Sequence, residues 1–275
     1  MMTTMKLDFI GVGPMRAGTT WLHHALSQHP EIVLPREKET FYFDRYFDRG
    51  EAWYAAHFEE RLGSALYGEI GASYFSSDAA RERIYASSPG ALIIVSVREP
   101  AERAFSSFIH LSKYERLSAS LERALEESPL ILESGRYSRY LPRWEERFGK
   151  ERVHLLCLES AMKEPLATLN SLLMRLDLKP LELDEAALRE SKNTGFTARS
   201  YLYQRLSDRV FRALADNHHF EALDTIRRIK RRVELLPFLN RAGAEMRRMS
   251  DEERTLLRRL LHEEYAFLSQ RGLEY

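Results

Sequence analysis

The stretch from Phe9 to Leu22, Phe-Ile-Gly-Val-Gly-Pro-Met-Arg-Ala-Gly-Thr-Thr-Trp-Leu, runs from a short apolar strand through a glycine loop into a helix. This order constrains the fold more than anything else in the chain. Gly13 and Gly18 let the backbone curl so that successive N–H groups point inward, and the following helix adds its free first-turn donors and positive dipole end. Such a loop selects a phosphate or sulfate group. The spacing of Gly13 and Gly18 matches the start of a nucleotide-triphosphate loop, but Thr19 stands where that loop carries lysine. The charge has moved inside the loop, to Arg16, and nothing in the segment resembles a magnesium-holding partner. A glycine-rich strand-to-helix turn also occurs without any ligand, so a second signal is required.

That signal is Leu92 to His110, where a β-branched run ends at Arg98 and a helix begins at or just after Pro100. Arg98 falls at the carboxyl edge of a parallel strand, the edge at which open α/β sheets bind ligands. Ser106 and His110 are one turn apart and share a helix face.

In these two segments the sequence resembles the sulfotransferases that use 3′-phosphoadenosine 5′-phosphosulfate (PAPS). Their first signature is a Gly-Thr-Thr loop and their second an arginine followed eight residues later by serine, the separation of Arg98 and Ser106. A third match, Arg36-Glu-Lys-Glu-Thr-Phe-Tyr-Phe-Asp44, is similar to a segment of the branch that holds the heparan sulfate sulfotransferases and many bacterial enzymes.

The resemblance implies roles. Arg16, Ala17, Gly18, Thr19 and Thr20 would hold the 5′-phosphosulfate, Trp21 would stack near the adenine, and Arg98 with Ser106 would grip the 3′-phosphate. Glu39 is the general base that the resemblance implies, and an acceptor hydroxyl does need a carboxylate in reach as its proton leaves. Arg16 would stabilise the leaving phosphate, helped by Lys38 and by His110, which keeps the family's four-residue offset from the serine. Many relatives carry lysine at the Arg16 position. Arginine there argues for fixed charge stabilisation over a proton shuttle.

Tyr137, in Gly135-Arg-Tyr137, is either near the acceptor pocket or packed in the core. The polar loop 191–200 stands where, by the resemblance, relatives close over the nucleotide, which implies that Lys192 or Arg199 would reach the 3′-phosphate. Ile70 stands where heparan-type relatives place lysine, which disfavours a highly sulfated acceptor. The aromatic residues between 41 and 58 either line a pocket for a hydroxylated small molecule, lipid or glycoside, or form core.

Strands are expected near 7–12, 31–34, 66–70, 91–97 and 153–158, separated by helical patterning. The expectation is an α/β three-layer sandwich around a mostly parallel five-stranded sheet, the phosphate-loop-like sulfotransferase fold. A single domain over residues 1–275 is expected, with a helical carboxyl-terminal part from about residue 200. Tyr140, Trp144 and Phe148 recur every fourth residue and read as core.

The balance of 41 basic and 41 acidic residues leaves no global field for a polyanion, so the run Arg227 to Arg232 reads as an ordinary helix face rather than a nucleic-acid site. The histidines lack ligand spacing, so no metal is expected. The lone Cys157 fits a reducing compartment. No apolar run of about eighteen residues occurs, and a cytoplasmic protein of bacterial type is expected, without stable membrane insertion. Two other readings stand beside the PAPS-dependent enzyme: a nucleoside or nucleotide kinase, disfavoured by Thr19, and a non-catalytic protein binding the product 3′,5′-diphosphoadenosine (PAP), disfavoured by Glu39.

Overall fold

The computed structural model describes residues 5–59, 65–112, 115, 117–189 and 247–275, together with 197–198, 209, 213 and 241–242. Five parallel strands form the central sheet: β1 (Phe9–Gly13), β2 (Ile32–Val33), β3 (Leu66–Ile70), β4 (Leu92–Val97) and β5 (Val153–Cys157). Their order is β2-β3-β1-β4-β5. The chain passes to one side of β1 to build β2 and β3, then crosses to the other for β4 and β5. The direction of winding therefore reverses between β1 and β4, and a crevice opens there at the carboxyl edge. All five strands lie where the apolar runs place them, each bound shifted by at most two residues.

Register follows from side-chain volume. Phe9 pairs with Gly68, and a Cβ on that glycine would sit 2.0 Å from the Phe9 ring, so the ring occupies the space a side chain would need. In β4 successive residues face opposite layers. Ile93, Val95 and Val97 enter one core with Ile84 of α3 (Asp78–Ser87) and with Tyr137, Leu141 and Trp144 of α7 (Tyr137–Phe148). Ile94 enters the other, with Leu22 of α1 (Thr19–Leu26) and Leu169, Leu172 and Leu173 of α9 (Pro165–Arg175). These two cores are the layers of the sandwich. The Trp144 indole N–H donates to the Phe75 carbonyl at 2.9 Å, so the polar edge of the largest ring in that layer is satisfied.

Helix α4 (Pro100–Leu111) starts directly after β4. Pro100 sits in its first turn, and the Glu99 carboxylate caps it by accepting from the Glu102 N–H at 2.5 Å. Short helices α2 (Gly50–Ala55), α5 (Leu121–Glu127), α6 (Leu130–Glu133), α8 (Leu158–Lys163) and α10 (Glu185–Arg189) fill the connections. Near the end of the part expected to be helical lie two helices, α11 (Asp251–Leu260) and α12 (His262–Ser269), with Leu261 between them. Ser250 and Glu253 form a reciprocal cap on α11. Arg271 grips Glu145 of α7 through two bonds of 2.6 and 2.8 Å, and Ser138 donates twice to buried Glu264. Of the part expected to be helical from about residue 200, residues 209 and 213 are helical and the rest up to 240 lies outside the described residues. Among the described residues, no helix is long and apolar enough to cross a membrane.

His154 of β5 has its pKa lowered from the ordinary 6.5 to about 4, first by burial and then by the nearby Arg175 charge. A basic group whose folded pKa lies below its unfolded value contributes stability above the unfolded pKa. That contribution is lost as pH falls toward the folded value. By pH 5 this histidine should account for about 2 kcal/mol of lost stability. Urea unfolding at pH 7 and pH 5 checks this, since His154→Gln should flatten the difference by that amount.

Candidate functional site

The glycine loop lies at the carboxyl end of β1, beside the crevice. Gly13 has φ +97°, and a Cβ there would sit 2.6 Å from the Ala72 carbonyl oxygen, a backbone atom that cannot swing aside. Gly18 has φ +100° and immediately precedes α1, and Arg16 between them also adopts a left-handed conformation, φ +70°. Alternation of this kind turns peptide N–H groups to one side. The first turn of α1 carries no acidic side chain, so its dipole is left for an anion.

Three cationic side chains gather at this loop, Arg16 from within it and Arg98 and Lys38 from two other segments. The Arg16 Nε donates to Ser106 Oγ of α4 at 3.0 Å. Arg98, at the end of β4, donates from Nη1 to the Arg16 carbonyl at 3.3 Å. Lys38 Nζ approaches Thr19 Oγ1 at 3.4 Å and pairs with Glu39 at 2.5 Å. Lys38 and Glu39 keep 25% and 23% of their side-chain surface exposed, so the pair is reachable but partly desolvated. A further cation, Lys38, thus reaches Thr19 from a separate segment, next to a carboxylate.

His110 lies one turn beyond Ser106 on α4 and is half-buried. His23, on α1, has its pKa lowered to about 4 by burial and then by the Lys38 and His24 charges. It is therefore neutral at neutral pH and adds no cation.

Two candidate residues pack into the core. Trp21 is 2% exposed, packs in the α1–α9 core and donates its indole N–H to the Leu188 carbonyl at 3.1 Å, so its ring has no open face for an adenine. Tyr137 is fully buried, and its hydroxyl accepts the Arg98 backbone N–H at 3.1 Å. Burial holds its pKa above the ordinary value, so the phenol stays protonated. It fixes the strand end that carries Arg98, which is the packed alternative. Ala17, fully buried, and Thr20 sit within the loop and first turn as expected. Arg199 and Lys192 lie outside the described residues.

The aromatic stretch divides. Tyr42, Phe43, Tyr54 and Phe58 are core, with Tyr42 and Tyr54 stacked at 4.3 Å, whereas Phe47 is 36% exposed.

Sequence reasoning missed three carboxylates. Glu102 bridges Arg98 at 3.4 Å and Arg254 of α11 at 2.8 Å. Glu99 accepts from Tyr265 and Arg258, tying α11 and α12 to the strand end. Glu69 lies wholly buried in β3. Its signal was a lone acid inside an apolar strand, Leu-Tyr-Gly-Glu-Ile.

A parallel sheet with a glycine loop at its winding reversal, faced by an arginine from the next strand, has the architecture of an α/β protein of the phosphate-loop class. Comparison with known proteins narrows this. The sulfotransferase family model matches residues 76–182. The membrane-associated sulfotransferase kil1 of Dictyostelium discoideum is 31% identical over 136 residues, covering 46% of this chain and 29% of that protein. The bifunctional heparan sulfate N-deacetylase/N-sulfotransferase 1 of Caenorhabditis elegans is 28% identical, covering 70% and 24%. The chain thus spans less than a third of the length of these two curated relatives. The crystal structure of a sulfotransferase from Alicyclobacillus acidocaldarius superposes with a TM-score of 0.57 at 25% identity, covering 66% of this chain and 88% of that one. The family model and these likenesses support a sulfotransferase family for this chain.

Proposed function

We propose that the chain transfers the sulfuryl group of PAPS to a hydroxyl of a small molecule, lipid or glycoside, acting as one domain and releasing PAP. The observation that carries this reading is the convergence of Arg16, Ser106 and Arg98 on one loop, through contacts of 3.0 and 3.3 Å.

In this reading the loop amides, Thr19 and Thr20 hold the 5′-phosphosulfate, and Arg98 with Ser106 holds the 3′-phosphate. Glu39 accepts the acceptor's hydroxyl proton as the acceptor oxygen bonds to sulfur and the bond from sulfur to the 5′-phosphate oxygen breaks. Arg16 and Lys38 offset the charge gathering on the leaving oxygen, with His110 on the adjoining helix face. Transfer of this kind depends chiefly on in-line positioning and fixed charge. The left-handed Arg16 with its guanidinium tied to Ser106 supports a stationary cation more than a mobile proton donor.

Thermal unfolding with PAP, AMP, or ATP plus magnesium tests the donor assignment. PAP at about 100 times its dissociation constant should add roughly 2.7 kcal/mol, which raises the midpoint of a chain this size by about 5–10 °C. AMP should do much less. Stabilisation by ATP and magnesium alone would put the kinase reading first.

A further inference from the structure

Glu69 is fully buried, and among the described residues no cation pairs with its carboxylate. Four donors surround it instead. Oε1 accepts from the Thr40 N–H at 3.3 Å, the Thr40 hydroxyl at 2.5 Å and the Tyr74 hydroxyl at 2.8 Å, while Oε2 accepts from the Tyr54 hydroxyl at 2.6 Å. Burial pushes its pKa up, and the four hydrogen bonds oppose that shift. Placing a carboxyl inside a strand costs stability that an apolar side chain would not, so its use here calls for a reason other than packing.

Two of the four bonds go to Thr40, the residue directly after Glu39. Residues 37–41 belong to no strand or helix. On one side the Arg36 N–H is held by the His57 carbonyl at 2.9 Å, and on the other a turn begins where the Arg45 N–H meets the Phe41 carbonyl at 2.9 Å. Phe41 itself sits at φ +54°, a conformation that a bulky side chain keeps only where its neighbours hold it. The Thr40 hydroxyl also accepts the Tyr42 N–H at 3.1 Å, so one side chain couples Glu69 to the start of that turn. Glu69 in turn is set by the sheet, where it lies opposite Ile10 of β1, in the strand that leads into the glycine loop.

We propose that Glu69 is a positioning residue, which holds the Lys38–Glu39 pair against the glycine loop by gripping Thr40 from the sheet. The inference rests on Glu39 acting as the base. It transmits the register of β1 and β3 to the reacting carboxylate through one hydrogen-bonded side chain. A misplacement on the order of 1 Å costs a reaction of this type up to about 100-fold.

Four variants test it: Thr40→Val, Thr40→Ser, Glu69→Gln and Tyr54→Phe, with Glu39→Gln as the control. Transfer from radiolabelled PAPS is followed to the best acceptor among 4-nitrophenol, a sterol and an N-acetylated glucosamine oligosaccharide. Thr40→Val and Glu69→Gln should lower kcat by about tenfold or more, with the KM for PAPS and the Kd for PAP within about twofold of the parent. Thr40→Ser, which keeps the hydroxyl, should restore kcat. Tyr54→Phe removes the bond from α2 while leaving Thr40 in place, so it should lower the melting temperature and leave kcat nearly unchanged. Hydrogen exchange gives a readout that needs no acceptor, and amides 38–42 should exchange about tenfold faster in Thr40→Val, with those of α4 unchanged. Unaltered exchange there, or a parental kcat in Thr40→Val beside an inactive Glu39→Gln, overturns the inference and leaves the base assignment standing. An active Glu39→Gln removes the base assignment itself.

Discussion

Glu39→Gln is expected to lower sulfuryl transfer by roughly 100-fold or more, the ordinary scale for a lost general base, while PAP binds as it does to the parent. The substitution is nearly isosteric, and its amide oxygen can still accept from Lys38 Nζ, which lies 2.5 Å from the carboxylate. The segment should therefore keep its place beside Thr19, and the loss should isolate the missing basic oxygen. Steady-state transfer from PAPS together with PAP titration separates the two quantities. A fall in kcat at constant PAP affinity is an interaction made in the transition state. A parallel loss of PAP affinity would instead mean that Glu39 orients Lys38 at the loop.

Arg98→Ala is expected to weaken PAP binding by about 1.5–3 kcal/mol, the cost of a charge-assisted contact, and to leave AMP binding far less affected. The structure adds a second contribution to this substitution, since Arg98 also donates to the Arg16 carbonyl at 3.3 Å. Loss of that bond would loosen the loop and weaken both nucleotides together. Calorimetric titration of parent and variant with PAP and with AMP distinguishes the two. A difference confined to PAP assigns Arg98 to the 3′-phosphate, whereas equal losses assign it to holding the loop. Glu102, 3.4 Å from the same guanidinium, is a competitor that a bound phosphate must displace, and Arg254 at 2.8 Å stands ready to retain it.

The parts of this protein that were legible in the amino-acid order are those carried by local pattern. The run Leu92 to Val97 is apolar apart from Ser96, which suits an interior parallel strand, and the Gly13 to Gly18 spacing opens a helix with free amides. Arg98 and Ser106 are eight residues apart on one strand-to-helix unit, so their nearness is built into the chain. Trp21 and Tyr137 were harder. Trp21 follows the loop residues in sequence and Tyr137 closes a Gly-x-Tyr pattern, yet each points into a core whose other wall comes from Leu188 or from Phe75, far along the chain. Amphipathic aromatic residues suit a ligand or a core equally well, and local pattern does not separate the two.

Chain order by itself determined the five strands and the glycine loop with the Arg98–Ser106 spacing, because strand length, glycine placement and helix phase act over a few residues. Only the tertiary structure decided which side chains face that loop: Lys38 reaching Thr19, Glu102 shared between Arg98 and Arg254, and Glu69 gripping Thr40. Apart from Arg98–Glu102, four residues apart, these contacts join residues 19 to 152 positions apart. Their geometry is set by the order in which parallel strands assemble and by the volumes packed between them, and no short stretch of the chain encodes either one.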